Sequence, residues 1–102
     1  MRRSSGGNLV YNLLFHREVL KDVEKIPPET QLRIKQVLQT LKIAPESIHK
    51  KPLKGYDNLF SVRVGDYRII IEPNHEDNVI FVWMVSHRSK VYDRLKRRTG
   101  DE

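Results

Sequence analysis

The stretch SVRVGDYRIII, residues 61–71, constrains the fold of this chain more than any other. Val62, Val64, Tyr67, Ile69 and Ile71 alternate with other residues at the period of a half-buried strand. Gly65-Asp66 interrupts them with the chemistry of a two-residue hairpin turn, in which glycine supplies the positive φ. That turn fixes the register. Val64 faces Tyr67, Val62 faces Ile69 and Phe60 faces Ile71, so six apolar side chains share one face. The same register sets Arg63 directly opposite Arg68 on the other face, beside Ser61 and Ile70. Like charges facing each other across a ladder are unfavourable. A phosphate placed between two guanidinium groups turns their repulsion into bidentate attraction, so the pairing predicts an anionic partner for this face.

The flanking segments supply the rest of a fold. LVYNLLF, residues 9–15, reads as a first strand. HREVLKDVEKI carries Val19, Leu20, Val23 and Ile26 at helical spacing. Pro27-Pro28 stops that helix and opens a second, in which Leu32, Val37, Leu38 and Leu41 form one stripe up to Ala44-Pro45. Two helices joined by a two-proline turn predict an antiparallel helical hairpin. VIFVWMV, residues 79–85, is apolar at every position, as in a strand buried on both faces. SHRSKVYDRLKRR closes the chain as a short basic helix or tail.

The order β-α-α-β-β-β predicts an α+β fold. In it an N-terminal strand and an antiparallel helical hairpin join a mainly antiparallel sheet of about four strands, with a short C-terminal helix. The hairpin packs on one sheet face and leaves the other uncovered. Residues 9–102 form a single domain, as a chain of 102 residues allows. Residues 1–8, MRRSSGGN, read as a disordered or vector-derived terminus.

Composition narrows the function. No apolar run approaches the roughly 18 residues of a membrane span, so no membrane is predicted. Cysteine is absent, which rules out disulfides and thiolate metal sites and fits a reducing cytoplasm. The net charge of +6 is compatible with a solvated basic surface, and equally with a polyanionic partner such as nucleic acid. His16, His49, His75 and His87 lack metal-ligand spacing, and no glycine-rich phosphate loop is present. No metal and no other cofactor is predicted. What stands out is cationic and aromatic: Lys51, Lys54, Arg63, Arg68, His87, Arg88 and Tyr92. His87 and Arg88 emerge at a strand end, a rigid place to present side chains, and Tyr92 lies one helical turn past Arg88. Each has a plainer reading: His87 as a surface or capping residue, Tyr92 as a core anchor. RLKRR, with Lys96, is either a solvated face or a contact for RNA backbone.

The strand order, PLKGYDNLFSVRVGDYRIII and the closing HRSKVY together resemble the RelE/ParE toxin superfamily, over roughly Leu9 to Leu95. The resemblance implies a toxin of a type II toxin–antitoxin pair, with an adjacently encoded RelB-like antitoxin as partner. Its RelE branch cuts messenger RNA in the ribosomal A site, so mRNA and the ribosome are implied partners too. Its ParE branch shares the fold but inhibits DNA gyrase. A non-catalytic protein that binds RNA or the ribosome is a further alternative. By resemblance, Arg68 lies near the scissile phosphate and Arg63 faces the same pocket. Lys54 occupies a basic loop position, and Arg88 is the arginine near the last strand's end; Lys51, Ser61 and Lys96 join Lys54 as expected RNA contacts. Tyr92 stacks on the substrate nucleotide or takes its proton. Ser61 stands where RelE has a second lysine, and His87 resembles a histidine used by sister toxins. The implied chemistry is metal-free: the substrate's 2′-hydroxyl attacks the phosphate while a base removes its proton and cations stabilise the phosphorane. A histidine suits the base. A phenol serves where neighbouring cations favour its phenolate, or it stacks on a base.

Overall fold

The computed structural model describes residues 10–100. The terminus expected over residues 1–8 lies outside them. Five strands form one mixed sheet in the order β1-β5-β4-β3-β2. They are β1 (Asn12–Phe15), β2 (Lys51–Pro52), β3 (Phe60–Val64), β4 (Tyr67–Asn74) and β5 (Val79–His87). Strand β1 is shorter than residues 9–15 suggested and runs parallel to β5; the other neighbours are antiparallel. The two-residue β2 is the strand that the sequence reading did not anticipate. The hairpin register is as expected: Gly65 takes φ +62, and Arg63 pairs directly with Arg68.

Helices α1 (Val19–Glu24) and α2 (Pro28–Ile43) cover one face. Pro28 opens α2, where its missing N–H costs nothing. The side-chain amide of Gln31 closes the turn between the helices, donating to the carbonyls of Val23 and Ile26 at 2.8 Å each. Val19, Ile26, Ile34 and Leu41 meet Val62, Val64, Ile69, Ile71, Ile80, Val82 and Val85 in the larger core. Two stripe assignments are corrected. Leu20 and Leu32 are 69% and 59% exposed. The inward line of α1 is Val19, Asp22, Val23 and Ile26, and that of α2 is set by Ile34 and Leu41, two turns apart. A polar residue at the centre of the first line hid its phase.

The second face is not left open. Helix α3 (Val91–Arg98) lies on it, and with Leu53 and Leu59 of the loop between β2 and β3 it buries Ile70 and Met84. Ile70, expected on the open side, has no exposed surface. The cause is the pair Val91 and Leu95, one turn apart, which gives an otherwise charged helix an apolar seam.

Strand β5 lies between β1 and β4, with Ile80, Val82, Met84 and Val85 buried and Phe81 and Trp83 partly exposed. Its register against β4 shifts between Ile70 and Ile71, leaving Trp83 as the extra residue of a bulge. Past Phe15, strand β1 no longer covers the edge of β5. There the backbone is satisfied by side chains. The Val85 N–H donates to Asp22 Oδ2 at 3.1 Å, the Val85 carbonyl accepts from Arg94 Nη1 at 3.2 Å, and the Trp83 carbonyl accepts from Arg98 Nη1 at 3.0 Å. Asp22 is itself the carboxylate of both arginines. Arg98 grips it with two nitrogens at 2.7 and 3.0 Å, and Arg94 Nη2 donates to Oδ1. A buried edge is thus closed by one aspartate from α1 and two arginines from α3.

Candidate active site

The hairpin brings Arg63 and Arg68 side by side, and their repulsion is eased by a shared acceptor. Arg63 Nε and Arg68 Nη1 donate to the Gly65 carbonyl at 3.3 and 3.4 Å, and Arg68 Nη1 also reaches the Tyr67 carbonyl at 3.1 Å. The turn is pinned to the end of β5, because the Arg88 N–H donates to the Asp66 carbonyl at 2.8 Å. Arg88 therefore leaves the sheet beside Arg68. Loop and helix meet where the Lys54 N–H donates to the Tyr92 hydroxyl at 3.3 Å, which holds the half-exposed phenol over the loop and leaves its own proton free to donate.

Between these elements lies a shallow cleft of about 160 Å³. Its walls are Lys51, Pro52 and Leu53 of the β2 segment, Ser61 of β3, Arg68 of β4, and Arg88, Val91 and Tyr92 at the start of α3. Three cations and two hydroxyls line it, with no carboxylate among the described residues. Such a surface holds an anion by charge and by directed N–H and O–H donors, and Val91 and Leu53 give it an apolar floor.

Of the residues singled out in the sequence, Lys51, Ser61, Arg68, Arg88 and Tyr92 meet in this cleft. Lys54 adjoins it through its backbone, and Arg63 stands exposed next to Arg68 without lining it. Lys96 is exposed further along α3. His87 is not brought to the cleft. It pairs with Tyr67 across the ladder, so it emerges on the α1–α2 face, edge-on to the Tyr67 ring at 5.5 Å. Its Nδ1 accepts from the Ser89 N–H at 3.2 Å and sits 2.9 Å from Ser89 Oγ, the geometry of a capping residue for the 3₁₀ turn at Arg88–Lys90. The bulge at Trp83 causes this. Unbroken alternation from Val82 places His87 on the cleft face, and one extra residue reverses it.

The Asp22–Arg94–Arg98 cluster had no signal in the residue pattern that was followed; the one available was an aspartate on the apolar line of α1. Burial alone would raise the Asp22 carboxyl, but the Arg98 hydrogen bonds, the Val85 N–H, the Arg98 charge and the Arg94 hydrogen bond outweigh it and hold the carboxyl below its ordinary range. His16, stacked on Trp83 with centroids 5.9 Å apart, is shifted down by partial burial and by Arg98 and Arg17.

A family model described as the ParE toxin of type II toxin-antitoxin system, parDE, matches residues 13–92. Toxin RelE3 of Methanocaldococcus jannaschii is 35% identical over 85 residues, which cover 79% of this chain and 94% of that one. Among solved structures, the RelB-RelE antitoxin-toxin complex from Methanococcus jannaschii aligns at 32% identity and TM-score 0.65, covering 78% of this chain and 95% of that one. The RelBE2 toxin-antitoxin complex from Mycobacterium tuberculosis aligns at 25% identity and TM-score 0.67, covering 79% and 94%. Because the family match runs from β1 through the hairpin to Tyr92 itself, it takes in both the sheet and the cleft, and the chain belongs to this toxin family as a RelE-like member.

Proposed function

We propose that this toxin is an endoribonuclease that cuts messenger RNA in the ribosomal A site and so stops translation in the cytoplasm. The observation that carries the reading is the convergence of Lys51, Ser61, Arg68, Arg88 and Tyr92, from separate elements, on one cleft that no carboxylate lines among the described residues. The scissile phosphate sits against Arg68 and Arg88. The 2′-oxygen attacks phosphorus, its proton leaves to a base, the bond to the 5′-oxygen breaks, and that oxygen is protonated. The products are a 2′,3′-cyclic phosphate and a 5′-hydroxyl. Guanidinium groups neutralise the extra charge of the phosphorane, so the reaction proceeds without a metal. Tyr92 is the proton-transfer group at the cleft, and its ring also offers a stacking surface for a base. His87 supports Tyr92 by capping the turn that leads into α3. A RelB-like antitoxin, as in the solved complexes of the relatives, is the natural inhibitor.

The test is cleavage of a translated message by purified toxin on ribosomes, mapped by primer extension. In-frame cuts that leave a 2′,3′-cyclic phosphate and a 5′-hydroxyl are the expected result. Tyr92→Phe should slow single-turnover cleavage by about 10²-fold, within the usual range for a lost proton-transfer group, while His87→Gln should cost far less. A His87→Gln toxin slower than Tyr92→Phe reverses the assignment. The name of the matching family model favours a second reading, inhibition of DNA gyrase. Loss of supercoiling activity in a purified gyrase assay, with messages left intact, would establish it instead. Binding to ribosomes with neither effect would leave a non-catalytic RNA-binding role.

A further inference from the structure

Helix α3 carries Tyr92 near one end and the partners of Asp22 towards the other. At about 100° per residue, Arg94 and Arg98 fall on one flank of the Val91–Leu95 seam and Tyr92 falls on the opposite flank. The seam is apolar, and apolar contact is not directional, so by itself it tolerates a helix that rolls. The paired guanidinium–carboxylate bonds are directional and define one roll angle. Their anchor is rigid. Asp22 is 5% exposed and bound to the Val85 N–H of β5, and the Arg98 side chain is 9% exposed. Arg94 and Arg98 also bind the carbonyls of Val85 and Trp83, so α3 is tied to β5 as well as to α1.

We propose that Asp22 is a positioning residue for the cleft: by latching Arg94 and Arg98 it fixes the roll of α3 and so the place of the Tyr92 hydroxyl. The inference rests on the RNA-cleavage reading for its effect on rate, but its geometric content stands apart from it. The Tyr92 hydroxyl accepts from the Lys54 N–H, so that amide reports on where the phenol sits.

The experiment compares the ¹⁵N spectra of purified wild-type, Asp22→Asn and Tyr92→Phe toxins with their single-turnover cleavage rates. Asparagine keeps the shape and an acceptor for the Val85 N–H but removes the charge. In Asp22→Asn the Lys54 amide resonance should move towards its position in Tyr92→Phe, while that of Gly65 at the hairpin tip stays in place. Cleavage should slow by about ten- to a hundredfold, with half-saturation by ribosomes unchanged, as for a misplaced catalytic group. Should Asp22→Asn fail to fold, Arg98→Lys keeps the charge, loses the fork and should give the same shift at smaller size. A folded variant with an unmoved Lys54 amide, or with a moved amide and wild-type rate, overturns the proposal. A wild-type toxin that cleaves nothing removes the nuclease reading, whereas the Lys54 shift still decides the positioning.

Discussion

The two ends of α3 use arginine in opposite ways. In the 3₁₀ turn that leads into the helix, Arg88 is 63% exposed and stands 3.9 Å from a carboxylate, Asp66, that is itself 70% exposed. Where it finishes, Arg98 is nearly buried and shares a buried aspartate with Arg94. An ion pair as exposed as the first adds little to stability and leaves the guanidinium available to a stronger anion. The second cannot be opened without leaving charge in a low-dielectric site. The difference teaches that solvent access and the nearest carboxylate decide what a basic residue does, because the side chain is the same in both places.

Removing the shared carboxylate is the largest intervention. Asp22→Ala should lose about 3 kcal/mol of stability in urea unfolding, the cost of stranding buried cations. A variant that unfolds at the wild-type midpoint would erase the contrast between the two ends. Arg68→Ala touches the cleft side. It should lower cleavage by about 10²–10³-fold, as for a lost charge-stabilising donor. Its unfolding midpoint should stay within about 0.5 kcal/mol of wild type, since the change lies on the surface. Equal damage to stability and activity would mean that the hairpin arginine is framework as well.

The smallest effect comes from pH. The Asp22 carboxyl is held below its usual range, so the folded state binds that proton less readily than the unfolded chain. Its contribution is therefore complete above the unfolded value of about 3.9 and is lost as pH falls through the lower folded value. Acid titration of wild type against Asp22→Asn should show this loss in wild type alone. His16, also shifted down, adds a weaker loss that begins as pH drops below about 6.5, and both proteins should show it.

The hairpin was legible because its information is local: a turn glycine and strict alternation settle register without reference to the rest of the chain. Ser61, Arg68, Arg88 and Tyr92 lie in the cleft for the same reason, being attached to that hairpin or to the strand end beside it, whereas Lys51 reaches it from the unanticipated β2. The errors share a different cause. His87 is misplaced by one bulge residue, and nothing in an all-apolar strand marks where the ladder slips. Leu20 was read inward because an aspartate was not expected on the buried line of α1. Arg94 and Arg98 could not be told from Lys96 and Arg97, since the carboxylate that distinguishes them is more than 70 residues away in sequence.

That separation also governs assembly in time. Asn12 must find Val79, and Asp22 must find Arg98, 76 residues on. Closing such long loops is entropically costly and slow, and sheets dominated by non-local pairing fold late. Chains emerge from synthesis at roughly 5–20 residues per second, with the N-terminal part first. Strand β1 and helix α1 thus wait, without their partners, until β5 and α3 have been made. The cleft, which needs Arg68, Arg88 and Tyr92 together, is among the last features to form.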